Sequence, residues 1–382
     1  MDKNKHYNIA LVLYTHGLDY DDRIRKEILS IKSLYSNVDF KIFAVEPKNR
    51  EEEGITSYGV RYRIPYLKSR EKYASGTHTV QKAWDFYKAI KKDLKVFDAV
   101  WCADPETFIF VLMLHDKPIT WDLHELPLVF MSNPVMKMLF KHLEQKCNVM
   151  VHANEARLNL LNKEGYVSNI KKHYVLRNYP QFNEIDSEYN DLYQKFDKWV
   201  GDSKCYLQGL NNASRAAYQT ISAVMAFKEL KAVVVGDFDK EALAKLKSEY
   251  GDEFTEKIFF TGMVKQLKTP QYIRHCFMSL VFYRNTSPNN YFCEANRLYQ
   301  NIINGNPVVV GCNPPMRDLV NAYNFGISID DDGSDIEKIK SGITELMSRY
   351  NELKANIEKN SNVLFWDSQK EIHKSIITKL FE

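Results

Sequence analysis

Three turns in the C-terminal half of this 382-residue chain collect cations and amides where a strand gives way to a helix. In NYFCEANRLYQNIINGNPVV, residues 290–309, Glu294 opens a helical stretch on which Asn296, Arg297 and Gln300 share one face. A helix start offers unsatisfied N–H groups and the positive end of a dipole, so a phosphate is its natural occupant. Arg297 could neutralise phosphate oxygens, and the amides could hold hydroxyls. In YLQGLNNASRAAYQ, residues 206–219, Gly209 permits close backbone approach, Asn211 follows, and Arg215 brings a second cation, enough for a diphosphate. In FFTGMVKQ, Gly262 ends a strand, and the backbone of Met263 and Val264 could meet a flat base. Each motif also has a bland explanation in an ordinary amphipathic helix or strand connection. It is their occurrence at successive strand ends that favours a ligand.

The N-terminal half offers a different chemistry. VWCADPET puts Asp104 directly after an apolar run, and TWDLHELP puts Asp122, His124 and Glu125 after the next one. A histidine among carboxylates at the mouth of a sheet suits a general acid or base, or a cation that binds a sugar hydroxyl. A loop histidine satisfied locally is the alternative. In YTHGLDYDDRIRKEILSIK, Gly17 follows the first strand and could lie against a ligand, and Asp21 or Asp22 caps the next helix.

These residues need elements to hold them. Short apolar runs alternate with amphipathic stretches, the pattern of β-α units in a parallel sheet covered on both faces. Strands are expected at 8–14, 39–45, 98–102, 118–122, 148–153 and 173–177, with helices at 22–35, 79–95, 134–147 and 155–162. After a polar linker, the alternation restarts with strands at 205–209, 232–236, 257–261, 279–283, 307–311 and 326–329 and helices at 215–230, 240–250, 294–304 and 336–359. The expected division is a Rossmann-like domain over 1–180, a linker over 181–203, a second Rossmann-like domain over 204–362, and a C-terminal segment over 363–382. In such sheets ligands sit beyond the carboxyl ends of the strands, and two such domains would face each other across a cleft.

Bulk properties narrow the classes. Composition is 45% hydrophobic and 26% charged, with a net charge of +3 and a pI near 8.3, which gives no electrostatic case for nucleic acid. Six scattered cysteines without C-x-x-C spacing read as reduced core residues of a cytoplasmic protein. No run reaches the ~18 apolar residues of a membrane span. Basic and aromatic residues gather over 61–95 and in PVMKMLFKHLEQK, a surface suited to peripheral contact with an anionic inner membrane, or simply to water.

Taken in order, DDRIRKEILSIK, FDAVWCADPET, ITWDLHELP, VLRNYP, LQGLNNASRAA, AVVVGD, IFFTGMV, NNYFCEANRLYQNIINGNPVVVG and the tryptophan of LFWDSQKEI span nearly the whole chain. Collinear in this way, they resemble the GT-B glycosyltransferases, most closely the family-four enzymes that build bacterial surface polysaccharides. The resemblance implies an α/β fold of two Rossmann-like, doubly wound domains facing across a cleft, with a C-terminal helix crossing back to the first. It implies a UDP- or GDP-linked nucleotide sugar held by the second domain and a glycan or lipid-linked saccharide acceptor held by the first. No cofactor and no metal are expected. Arg215 matches the basic residue on the donor diphosphate, Asn296-Arg297 match an Asn-Lys pair, and His124 matches a residue facing the sugar. Asp104 and Glu125 join His124 as catalytic candidates. The donor set is Gly17, Gly209, Asn211, Arg215, Gly262, Met263, Val264, Glu294, Asn296, Arg297 and Gln300. The chain departs from the family pattern at Gln300 and Phe292, where two glutamates usually stand, with Glu294 out of register. It departs again at Leu210, usually arginine, and at Ala216, usually glycine.

Other readings stay open. The Asp237-Phe238-Asp239 triplet could serve a metal-dependent GT-A transferase. An epimerase of sugar nucleotides, or a non-catalytic nucleotide-sugar or glycan-binding subunit, would suit the same scaffold.

Overall fold

The computed structural model describes residues 5–14, 18, 22–46, 49–74, 76–181, 190–199 and 204–382. Gly17 and Asp21 lie outside them. The chain forms two compact units, Met1–Asn178 with Gln369–Glu382, and Tyr179–Ser368.

The first unit is built on an eight-stranded sheet: β1 Tyr7–Leu13, β2 Val38–Ala44, β3 Glu52–Ile55, β4 Arg61–Ile64, β5 Ala99–Ala103, β6 Ile119–Leu123, β7 Val149–His152 and β8 His173–Val175. The spatial order is β3-β4-β2-β1-β5-β6-β7-β8, and only the β3–β4 pair is antiparallel. The central strands β5, β6 and β7 are buried along their whole length, which is why they read as largely apolar runs rather than alternating ones, with Asp122 and His152 among the buried polar exceptions. The β3–β4 hairpin falls where the sequence suggests only a basic, aromatic surface. Its alternation is masked by charge: Arg63 pairs with Glu51, Glu53 and Asp93, and such charges blunt an exposed sheet edge.

The second unit carries a six-stranded, fully parallel sheet: β9 Lys204–Gln208, β10 Lys231–Val235, β11 Ile258–Gly262, β12 Met278–Val281, β13 Val308–Val310 and β14 Gly326–Ser328, in the order β11-β10-β9-β12-β13-β14. Its helices differ from expectation: Pro314–Tyr323 falls where none is expected, the helix expected over 240–250 runs to Lys257, and two stretches divide. The single helix expected over 336–359 is two, Ile336–Ser348 and Tyr350–Asn360. The stretch from 215 is a 3-10 turn, Ala213–Arg215, and a shorter helix, Ala217–Met225, separated by Ala216 in the left-handed conformation. The segment between the sheets contributes a helix, Asp191–Lys198, which buries Phe196 against Tyr206 and Tyr272 of the second unit.

The C-terminal helix Lys370–Leu380 belongs to the first unit and packs against the helix Asp22–Leu34. Gln369 anchors it: its amide accepts from the Arg177 N–H at 2.7 Å and donates to the Arg177 carbonyl at 2.8 Å. Phe381 closes on Tyr7, ring centroids 4.4 Å apart. Trp366, fully buried, stays in the second unit, its N–H donating to the Pro180 carbonyl at 2.8 Å.

In both sheets the strand order proceeds to opposite sides of the first strand, with β2 and β5 around β1 and β10 and β12 around β9, all parallel to it. At such a reversal, the connections leave to opposite faces and a crevice opens beyond the strand ends, where ligands settle in open α/β sheets.

Candidate functional site

In the second unit the reversal lies between β9 and β12. Gly209 follows β9 and has φ of +69°, and a Cβ there would stand 2.9 Å from Nη1 of Arg297. Glycine is required for both reasons. Arg297 sits in the first turn of the helix Asn296–Ile303 and is buried. Its Nη1 donates to the Gln208 carbonyl and its Nη2 to the Phe282 carbonyl at 3.0 Å. Its guanidinium lies 5.0 Å from the centroid of Tyr283, and that of Arg215 lies 3.8 Å from the same centroid. Two guanidiniums thus share one aromatic ring. Among the described residues neither has a carboxylate partner, and Nε of Arg297 is buried without an acceptor.

The electrostatics follow from that crowding. Burial pulls the Arg297 pKa below the usual guanidinium range, and Arg215 adds to the pull, although Tyr283 opposes it. Burial pushes the Tyr283 phenol up to about 12, against both arginines, so it stays a neutral platform. Two cations held together without a counter-anion are costly unless an anion joins them.

The rest of the expected donor set is distributed around this pair. Arg215 ends the 3-10 turn whose start is capped by Asn212, with Oδ1 accepting from the Ser214 N–H at 3.0 Å; the exposed Asn211 accepts from Asn212 at 3.2 Å. Ala216 then takes φ of +54°, the left-handed region that a glycine adopts without strain. Asn296 is exposed at the helix start, and Ala295 before it makes no side-chain cap hydrogen bond. Gln300 is buried one turn on, and its Oε1 has no donor among the described residues. Glu294 lies before the helix rather than in it, and receives the Tyr299 hydroxyl at 2.6 Å. Leu210, where the family has arginine, is buried in the core. Gly262 ends β11 with φ of +65°, and Met263 beside it is 74% exposed. Val264 packs partly against the core around Phe196. Asp239 is a helix cap, its Oδ1 accepting from Glu241 and Ala242 N–H groups at 2.9 and 3.1 Å, which gives that residue of the triplet an ordinary structural role.

In the first unit the candidates gather beyond β5 and β6. Asp104 is buried with φ of 72° and ψ of 154°, a region that costs a non-glycine residue about 1–3 kcal/mol. Its neighbours impose it: the Asp104 N–H donates to the Asp122 carbonyl at 2.8 Å, and its carbonyl accepts from Trp121 Nε1 at 3.0 Å and Thr107 Oγ1 at 2.7 Å. The result aims its carboxylate at His124, with Oδ1 3.1 Å from Nδ1. On the other side, Nε2 of His124 lies 3.5 Å from Oδ2 of Asp122, which is fully buried. Burial works against a charged imidazole, yet Asp104 and Asp122 outweigh it and hold His124 well above the ordinary histidine range. A ring flanked by two carboxylates is a fixed cation and a poor free base, so of the two chemistries the sequence allows, the cation fits this geometry. Glu125, one residue on, is exposed.

Sequence reasoning passed over three participants. Asp122 is held by Arg23, whose Nη2 lies 2.9 Å from Oδ1, and Arg23 is paired to Glu27, one turn along, at 2.8 Å. Both sit on the buried side of the helix Asp22–Leu34 with Ile24, Ile28 and Ile31. An arginine and a glutamate four residues apart among core isoleucines was the available signal. Tyr283 was the third omission, read only as the last residue of a strand.

No protein-family model matches the chain, and no curated protein sequence matches it significantly. Solved structures do. Sucrose-phosphate synthase from Thermosynechococcus elongatus aligns with a TM-score of 0.75 at 13% identity, over 98% of this chain and 99% of that one. The Anabaena protein HepE, solved in complex with UDP, aligns with a TM-score of 0.71 at 10% identity, over 97% and 99%. The trehalose-6-phosphate synthase OtsA aligns with a TM-score of 0.67 at 12% identity, over 98% and 99%. At these identities the likeness speaks for the fold, and the chain has the α/β, two-sheet GT-B fold.

Proposed function

We propose that this protein is a glycosyltransferase that takes a sugar from a nucleotide-linked donor. The observation that carries the reading is the pair of guanidiniums on Tyr283, without a carboxylate partner among the described residues, beside a helix start that no side chain caps. That arrangement wants a compact, doubly charged anion, and a nucleoside diphosphate leaving group is one. Fixed charges aimed at a leaving diphosphate stabilise the charge that develops as the glycosidic bond breaks. Arg215 and Arg297 would do this without a metal ion. The fold shared with a protein solved in complex with UDP supports the same ligand class.

Within that reading, Gly209, Gly262, Met263 and Val264 offer backbone to the nucleotide, Gln300 and Asn296 meet hydroxyls, and His124, held as a cation between Asp104 and Asp122, contacts the transferred sugar. The donor is UDP- or GDP-linked, the acceptor a glycan or lipid-linked saccharide, and the pathway the assembly of a surface polysaccharide; retention of anomeric configuration follows the resembled family. Val129, Val135 and Met138 are 59%, 74% and 71% exposed near Lys137 and Lys141, a surface on which the protein would touch an anionic membrane. Among the described residues no helix is long and apolar enough to cross one.

A thermal-shift screen of UDP, GDP, CDP and dTDP and their sugars, followed by transfer assays with and without chelator, tests the reading. One nucleotide should stabilise the protein, and transfer should survive the chelator. Absence of any nucleotide effect would remove the proposal. Gln300, an amide where the family has a carboxylate, favours a second reading, a nucleotide-sugar-binding subunit without turnover. Binding without transfer, with turnover restored in Gln300→Glu, would select it.

A further inference from the structure

The cluster behind His124 holds more charge than its surroundings can carry if every group is ionised. Arg23 and Glu27 from the helix Asp22–Leu34, Asp104 after β5, and Asp122 and His124 at the end of β6 form one connected set. Arg23, Glu27, Asp104 and Asp122 are all buried. With the imidazole charged there are two cations against three carboxylates, one negative charge too many for groups this buried. Polar satisfaction points to the same excess: Oε2 of Glu27 is buried with no hydrogen-bond donor among the described residues, and Oδ2 of Asp122 has only Nε2 of His124 facing it, at 3.5 Å. Acceptor atoms of Glu27, Asp122 and His124 lie within 4.8 Å of one another. A metal ion would remove the excess, but Arg23 already bridges both carboxylates at 2.8 and 2.9 Å, so the place of a cation between them is taken. One proton on Glu27, shared with Asp122, supplies the missing donor and brings the count to zero.

We propose that Arg23 and Glu27 are positioning residues: Glu27 carries a proton and donates to Asp122, Arg23 clamps the same carboxylate, and Asp122 so fixed keeps His124 a two-proton donor. The proposal rests on the glycosyltransferase reading for its functional consequence, but the state of His124 is measurable without it. Burial, then the Asp122 carboxylate, pushes Glu27 well above the usual carboxylate range. Burial opposes the charge on Asp122, but Arg23 and His124 win and hold it far below that range. Arg23 also donates to the Leu176 carbonyl at 2.8 Å, which ties the clamp to the chain beyond β8.

The other groups around the cluster do not compete for the proton near neutrality. Burial holds His152 on β7 down at about 3 and His373 on the C-terminal helix down at about 4, so both are neutral. Arg157 donates to the His124 carbonyl and carries its charge on the backbone side. Glu106 is raised, first by burial and then by Asp104, and Glu125 is exposed.

The test combines ring 15N and 13C spectra of labelled histidines with donor hydrolysis and transfer assays on wild type, Glu27→Gln, Glu27→Leu and Arg23→Lys, with His124→Gln assigning the signal. His124 should read as imidazolium through pH 8 in wild type and in Glu27→Gln, whose amide reproduces the protonated carboxyl. Partners that orient a metal-ligating histidine are worth about 10–100-fold, and the same scale is expected for partners that fix His124. Glu27→Leu and Arg23→Lys should therefore lose about tenfold or more in kcat with little change in donor KM, and Glu27→Gln should stay near wild type. A neutral His124 at pH 7 in wild type, or Glu27→Gln failing as badly as Glu27→Leu, would overturn the proposal. If no sugar is transferred by any variant, the glycosyltransferase reading falls, and the spectra of wild type and Glu27→Gln still decide the proton's place.

Discussion

The two strand-end clusters treat charge in opposite ways. Beyond β5 and β6, cations face carboxylates: Arg23 faces Asp122 and Glu27, and His124 faces Asp104 and Asp122. Beyond β9 and β12, Arg215 and Arg297 face an aromatic ring and two backbone carbonyls. A cluster that balances itself is finished without a ligand and acts by orienting a donor. A cluster that leaves two cations unbalanced is complete only when an anion arrives.

If the unbalanced pair is the ligand site, Arg297→Ala should have the largest effect. Removing one fixed donor to a developing anion costs about 10²–10³-fold in rate, and initial-rate assays should find a loss of that size. Arg297→Lys separates charge from geometry, because it keeps the cation and gives up the fork that reaches the Gln208 and Phe282 carbonyls. Gly209→Ala should come next. A side chain at φ of +69° costs about 1–2 kcal/mol, and its Cβ would displace Nη1 of Arg297 from 2.9 Å away. Chemical denaturation should read the first effect and nucleotide affinity the second.

The balanced cluster should reveal itself through pH. His124 has its folded pKa raised above 6.5, so its pairing with Asp104 and Asp122 stabilises the fold fully below that value and is lost as pH rises through the folded pKa. The stability advantage of wild type over His124→Gln should therefore be constant from pH 6 down to the range where the aspartates protonate, and shrink in alkaline solution. Denaturant titrations at pH 6 and 9.5 compare the two; an advantage that grows with pH would contradict the assignment of charge. The smallest effect is expected at Ala216, in the left-handed conformation with φ of +54°. Ala216→Gly should relieve strain and gain up to about 1 kcal/mol, less the entropy a glycine loses on folding.

How legible these clusters were depended on how far their residues lie apart in the chain. Strands such as β5, β6 and β10 announce themselves as local apolar runs, and Gly209, Arg215 and Arg297 stand at local strand-to-helix punctuation. The pairing of Arg23 with Asp122 joins residues 99 apart, and nothing local to either encodes it. The β3–β4 hairpin was hidden because its charged side chains serve an edge rather than a core. Tyr283 read as a strand residue because its role, a neutral platform for two cations from two other segments, exists only once β9 and β12 lie side by side.

The central claim is that Arg215 and Arg297 are a diphosphate site, and calorimetric titration of UDP and GDP into wild type and Arg215→Ala tests it most directly. Arg215 has no backbone carbonyl bond to lose among the described residues, so its removal should leave the fold intact. A charge-assisted contact is worth about 1.5–3 kcal/mol, so the account predicts binding of one nucleotide to wild type, weakened about 10–100-fold in the variant and weakened further by salt. Equal affinity in both proteins, or no binding of any nucleoside diphosphate to wild type, would contradict it.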